Sequence, residues 1–448
     1  MPSEMESRGR LTLLSALVGA VIGFLAPAAT SAQNGDLLRP AEVRDWREDL
    51  AYLRAQMPRH HANLFHTMTR QQFDSALAAI ETRLPTLARH QVIVELQRLA
   101  ALIGDGHSNV GPWRDSVIAF HSLPVAFYWF AEGLIIRAAD SSHRDLLGSR
   151  VVAIGEQSID SAVARVRPLI SRDNEMGVRA FTPFLLAMPE VLHATGIVSD
   201  MRQVPLVVES HGRRRTIVVA PAGLFPMLTG DADRSWLPRP GWIDARDGAA
   251  IPLWLSDPSN PYWYTYRNEQ RTLYCQINTI QHKEGDSLGG FMARAIAAAD
   301  SAGAERFVLD LRLNGGGNGD LNRYILLPLI KSRYDVPGHF FVLTGRRTWS
   351  AAQMLVTELQ KYSTAVFAGE PTASRGNHYG DSYRIIMPHS GVTVRVSTLW
   401  HQYLDSRDTR PMIQPDIPAP LAFSDYATGR DPALEATSRF TVPSPARP

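Results

Sequence analysis

The chain has 448 residues, with 46 Lys and Arg against 44 Asp and Glu, a formal net charge of +2, and 45% hydrophobic and 20% charged residues. That length exceeds what one core accommodates and predicts two or three domains of ordinary globular composition. A charge balance so close to zero gives no electrostatic basis for nucleic acid or an anionic membrane surface as partner.

The N-terminus reads as a targeting segment. Arg8 and Arg10 precede an apolar run over 11–26, and the small residues Ala28, Ala29, Thr30, Ser31 and Ala32 follow. A basic start, a short apolar stretch and a small-residue site are the pattern of a secretory signal peptide, here 1–32 with cleavage after Ala32. An uncleaved anchor is the alternative, because the run approaches the lower limit for a spanning helix. The expected mature protein is extracytoplasmic (periplasmic or secreted), with no stable membrane insertion.

Residues 33–112 carry helical spacing: Trp46, Leu50, Leu53 and Met57, then Phe73, Leu77, Ile80 and Leu84, then Val92, Leu96, Leu99 and Ala100. Pro58 and Pro85 punctuate the first two helices. A polar turn, Gly104-Asp105-Gly106-His107-Ser108-Asn109, closes the third. Residues 120–221 predict short strands over 123–130, 134–138, 150–154, 204–209 and 215–220, with a helix over 159–170 and a helical insertion over 172–201. Residues 222–261, rich in Pro, Gly and Asp, read as a connector.

Residues 262–437 alternate strands (271–277, 306–311, 339–343, 365–368) with helices (287–302, 321–332, 350–361), leaving a tail over 438–448. This alternation predicts βαβ units and a mostly parallel sheet, so the fold class is α/β and multidomain. Such sheets place ligand sites at the carboxyl ends of their strands. Two features fall there: Gly315-Gly316-Gly317 after the strand at 306–311, and Ser350 after the strand at 339–343. The single cysteine, Cys275, excludes an internal disulfide and a Cys-cluster metal site, and its alternating surroundings predict a buried strand thiol.

Taken alone, Ser350 in Thr348-Trp349-Ser350 before a helical run is an ordinary N-cap. A serine at a strand-to-helix turn also sits beside free backbone N–H groups, where a nucleophile and an oxyanion site can be assembled. The glycine run lacks G-x-G-x-x-G spacing and no Walker lysine follows, which argues against a nucleotide. No H-E-x-x-H is present, and the adjacent His60 and His61 do not share a helix face, so neither a metal nor a cofactor is expected.

The ordered set Asp310-Leu311-Arg312-Leu313-Asn314-Gly315-Gly316-Gly317, Thr348-Trp349-Ser350-Ala351-Ala352-Gln353 and Gly369-Glu370-Pro371-Thr372 resembles the tail-specific (C-terminal processing) protease family, which includes the tricorn protease core. Gln414-Pro415-Asp416-Ile417 and the stretch 425–435 are similar to that family's closing segments, so the resemblance covers about 262–437. It implies a ClpP/crotonase-like core and, from the stretch 147–159, a PDZ-like domain within 120–221. It also implies a serine endopeptidase forming an acyl-enzyme on Ser350, acting on peptides or unfolded protein without a cofactor; an oligomer is compatible with it.

The base departs from the tail-specific branch, because Arg375 stands where that branch has a lysine. A guanidinium with a pKa above about 12 cannot act as a neutral base. The tricorn-like branch takes a histidine from far upstream, and His107 resembles it; a free imidazole would bring activity up through about pH 6–7. His378 is the rival base, with His389 and His401 behind it. The group orienting the base is open among Asp408, Asp405 and Ser108, with Asp105 suited to capping the loop. Oxyanion donors would be the N–H of Ala351 and one of Gly315, Gly316 or Gly317, with Gly316 favoured. The alternative function is a peptide-binding protein of the same fold without turnover.

Overall fold

The computed structural model describes residues 35–228 and 234–442, and these belong to one compact unit. The expected signal peptide, 1–32, lies outside the described residues. Among those described, no helix is long and apolar enough to cross a membrane.

Three helices open the fold: α1 (Pro40–His60), α2 (Arg70–Arg83) and α3 (Arg89–Ala101). Their predicted stripes are buried, including Trp46, Leu53, Met57, Phe73, Leu77, Val92 and Leu96. A proline at the first turn and Glu42 accepting the Arg39 N–H start α1. Helix α1 continues two residues beyond Pro58, where its expected end lay.

A seven-stranded antiparallel sheet follows. It is built from β1 (Val125–Phe130), β2 (Gly133–Asp140), β3 (Arg150–Ile154), β4 (Gln157–Ser158), β5 (Val204–Ser210), β6 (Arg213–Val219) and β7 (Trp242–Asp244). Between β4 and β5 run α4 (Ile159–Val166), α5 (Glu175–Leu185) and α6 (Pro189–Ala194), the last two filling the predicted insertion. The stretch read as a connector supplies β7, which pairs with β2, and two short 3-10 turns that bury Trp236 and Trp254. Three residues are too few for a period to show in sequence, and burial of the tryptophans depends on partners distant in the chain.

The second sheet has the order β15-β12-β11-β10-β9-β8. Its strands are β8 (Tyr262–Arg267), β9 (Thr272–Ile277), β10 (Arg306–Asp310), β11 (Phe340–Thr344), β12 (Val366–Gly369) and β15 (Ile417–Pro418), all parallel except β8 at the edge. Helices α7 (Leu288–Ser301), α8 (Arg323–Ile330) and α9 (Ala351–Tyr362) connect its strands, and α10 (Phe423–Ala427) and α11 (Pro432–Arg439) close the chain. Alternation sorts the two faces. Phe307, Leu309, Phe340 and Val342 join one apolar cluster, while Val308, Phe341 and Leu343 join another with Ala433 and Leu434 of α11. Cys275 is fully buried in β9, and burial pushes its thiol far above the ordinary value.

A two-stranded hairpin, β13 (Asn377–Ile386) with β14 (Thr393–Gln402), was not visible as strands in the sequence. Its half nearest the open end reads His-Tyr-Gly-Asp, polar enough to pass for a loop, and Asp381 takes φ 53°. Its closed half carries Ile385, Val394 and Val396 into the same apolar cluster as α1, α3 and the first sheet. Helical segment, first sheet and hairpin therefore share one core, which fixes the loop after α3 against the hairpin.

Candidate active site

The turn from β11 into α9 is anchored by hydrogen bonds before it reaches Ser350. Thr348 Oγ1 accepts the Gly345 N–H at 3.0 Å and donates to Leu311 O at 2.8 Å, while the Trp349 N–H donates to Asn314 O at 3.1 Å. Ser350 then takes φ 54° and ψ −126°, a left-handed conformation that costs a non-glycine residue about 1–3 kcal/mol. Its side chain makes no capping bond to α9, so the N-cap expectation for an isolated serine fails. Oγ instead lies 2.9 Å from His107 Nε2, a residue 243 positions away.

The glycine run is pressed against this serine. A Cβ on Gly316 would lie 2.7 Å from Ser350 Cβ and 3.2 Å from the Ala351 nitrogen. One on Gly317 would lie 2.3 Å from Ile280 O, and the two glycines hold φ of 121° and 129°. No side chain fits either place. The expectation for Gly316 as an oxyanion donor is corrected, because its N–H donates to Asn314 Oδ1 at 2.9 Å. Asn314 is itself held by Nδ2 donating to Ile277 O at 3.0 Å. The Ala351 N–H belongs to the first turn of α9, where donors have no intrahelical partner.

His107 sits on the loop after α3, and Asp105 shapes that loop. Asp105 Oδ1 accepts the N–H groups of His107 at 2.9 Å and Ser108 at 2.6 Å, and the Ser397 hydroxyl at 2.7 Å. Its Oδ2 lies 2.9 Å from His61 Nε2. Burial alone would push Asp105 up, but hydrogen bonds from His61, Ser397 and the Ser108 N–H outweigh it and hold the carboxyl near 2. The imidazole of His107 stacks on Trp349, centroids 4.1 Å apart, and faces His378 at 5.7 Å on nearly parallel planes. Burial lowers its pKa to about 4, only partly offset by the charge of Asp105.

None of the three expected orienting groups reaches the ring. Ser108 Oγ accepts the Ser397 N–H at 3.0 Å and donates to Ser397 Oγ, so it ties the loop to β14 instead. Asp408 is paired with Arg410 at 2.8 Å and Asp405 with Arg407 at 2.9 Å, each two residues along a surface turn. His107 Nδ1 is buried without a hydrogen-bond partner among the described residues. Local charge pairing captured both acids, and chain order alone could not reveal that.

His378, the rival base, lies behind His107 and does not reach Ser350 as a hydrogen-bond partner. Its Nδ1 donates to Arg375 O at 3.0 Å, and burial, with repulsion from His107 and His401, lowers its pKa to about 3. Arg375 donates from Nε to Asp173 O at 3.1 Å. His389 is at the hairpin turn beside Glu48, and His401 pairs with Asp381 at 3.0 Å. Arg312 is buried between Asp310 and Asp431, bonding Asp431 through two nitrogens at 2.8 Å each, which joins the glycine turn to α11.

One cluster near the site has the makings of a cation site: His61, His66 and Asp105 place ligand atoms within 4.8 Å of one another. The donor set argues otherwise. His61 Nδ1 accepts the Asn63 N–H at 2.9 Å, so the ring proton sits on Nε2 and points at Asp105. A ring arranged this way is a hydrogen-bond donor rather than a ligand.

No family model matches the chain, and no curated protein matches it in sequence. Solved structures do. The structure of mature CPAF complexed with lactacystin superposes with a TM-score of 0.60 at 12% identity, covering 88% of this chain and 98% of that one. The photosystem II D1 C-terminal processing protease gives 0.39 at 14% identity over 88% and 96% of the two chains. The tricorn protease gives 0.37 at 14% identity over 88% of this chain and 36% of that one. The chain has the fold of mature CPAF over nearly its whole length.

Proposed function

We propose that this chain is a serine endopeptidase with Ser350 as nucleophile and His107 as general base, acting on peptide or unfolded protein. One observation carries the reading: His107 Nε2 stands 2.9 Å from an Oγ that does not cap its own helix. For Nε2 to accept, the ring proton resides on Nδ1. Ser350 Oγ attacks the scissile carbonyl carbon, and its proton passes to His107 Nε2. The amine leaves with that proton, giving an acyl-enzyme. Water then attacks the acyl carbon, loses its proton to His107, and the acid departs as Ser350 recovers its hydrogen. The Ala351 N–H faces the developing oxyanion, a kind of contact whose loss costs about 10²–10³ in rate.

The seven-stranded sheet is read as the PDZ-like element and the six-stranded sheet as the ClpP/crotonase-like core, by the resemblance of their sequences. Secretion rests on the signal-peptide pattern of 1–32. A second reading, a peptide-binding protein without turnover, is favoured by the unpartnered His107 Nδ1 and by Gly316 N–H being taken. A serine-directed fluorophosphonate separates the two. Covalent labelling at Ser350, lost in Ser350→Ala and strongly slowed in His107→Ala, is expected of the peptidase; wild type that never labels would leave the binding protein.

A further inference from the structure

Asp173 is a buried carboxyl in this site that no step above uses. It lies just before α5, whose N-cap is Asn174. Its Oδ1 accepts the Gly106 N–H at 2.8 Å, immediately before the base. On the neighbouring loop, Ser374 Oγ accepts the Ser350 N–H at 3.4 Å. The same segment grips the loop after β12: Arg375 donates to Asp173 O, and Asn174 Nδ2 donates to Thr372 O at 3.1 Å and Pro411 O at 2.8 Å.

The charged groups facing this carboxyl are Asp105 and Arg375. Burial pushes its pKa up to about 6 and the charge of Asp105 adds to this, while Gly106 N–H, Ser374 and Arg375 hold it back only in part. Its Oδ2 is buried with no hydrogen-bond partner among the described residues. Folding alone gains little from an acid here, because a neutral isostere would avoid the desolvation. Buried, destabilised titratable groups concentrate at functional sites.

We propose that Asp173 is a positioning residue: its carboxyl holds the His107 loop through the Gly106 N–H, while its backbone carbonyl and the adjoining Asn174 hold the 372–375 loop beside Ser350, which sets the two in register. This rests on reading those two as base and nucleophile. A displacement of about 1 Å between reacting groups can cost about 10²-fold in rate, so a group joining both loops has leverage without touching substrate.

The test is Asp173→Asn, which keeps the shape and the acceptor for Gly106 N–H but removes the charge that strengthens that bond. We expect kcat to fall about 10–100-fold with KM within about twofold. The melting temperature at pH 7.5 should be unchanged or higher, because a buried charge has gone. Labelling of Ser350 by fluorophosphonate is followed on the same preparations. If wild type does not label, the peptidase reading and this role fall together. If wild type labels and Asp173→Asn labels at the same rate, the positioning role alone is overturned. A lowered melting temperature in Asp173→Asn assigns Asp173 to the scaffold and overturns it too.

Discussion

Ser350 carries its backbone in a conformation that favours glycine, with φ 54°. Replacing it with glycine removes the proposed nucleophile and the strain together. Ser350→Gly should raise the unfolding free energy by about 1 kcal/mol in a denaturant titration while abolishing labelling. Gly316→Ala should add strain and displace Ser350, because the new Cβ would stand 2.7 Å from Ser350 Cβ. We expect at least about 10²-fold loss of kcat/KM, with far-UV circular dichroism unchanged. The buried base gives a third expectation. With His107 held at about 4, it is neutral and able to accept a proton at any higher pH. Activity should therefore be flat from about pH 8 to 7, step down as Asp173 takes its proton near 6, and be lost through about pH 4 as His107 charges. In Asp173→Asn the step near 6 should be absent, and a rise centred near pH 6.5 that persists in that variant would show that His107 is not buried as described.

At the scale of elements, the hairpin β13–β14 holds the loop of the proposed base, His107. Ser397 bonds Asp105 and Ser108, and Ser382 donates to His107 O at 3.1 Å. The hairpin's far end is held by Asp49 of α1, whose two carboxylate oxygens each accept a backbone N–H, from His389 and Ser390, at 2.9 Å. Asp49→Ala would leave both donors without that partner and should cost about 1–3 kcal/mol of stability. It should also slow turnover, although Asp49 touches neither reacting residue. Equal turnover in the variant, measured well below its melting temperature, would show that the hairpin turn does not transmit to the base.

Over the whole molecule, buried histidines set the response to acid. Burial lowers His90 and His107 to about 4 and His378 to about 3, and His193, 2.8 Å from His90, is lowered as well. The folded state refuses protons that the unfolded chain takes near pH 6.5. Stability is therefore full above that pH and lost as pH falls from about 6.5 towards 4. Asp173, raised to about 6, works the other way: its folded form holds a proton longer, so it adds stability as pH falls through that window. The histidines outnumber it. The melting temperature should drop steadily from pH 7 to 4.5, and a curve that rose over that range would contradict the burial of these rings.

The alternating apolar runs of 262–437 specified the mostly parallel sheet, because strand and helix periods and the right-handed crossover are local properties of the chain. For the same reason Gly315 to Gly317 and Ser350 could be placed at strand ends before any coordinates. His107 was legible through its local pattern and chain order, yet its approach to Ser350 depends on two cores docking across 243 positions. Asp173 left no sequence signal, since an acid before a helix reads as an ordinary cap. Ser108 and Asp408 carried plausible signals and were drawn to Ser397 and Arg410 instead. Periodicity is written residue by residue, whereas burial, the pKa values it shifts and the partner each polar atom finds are set only when distant segments exclude water from one another.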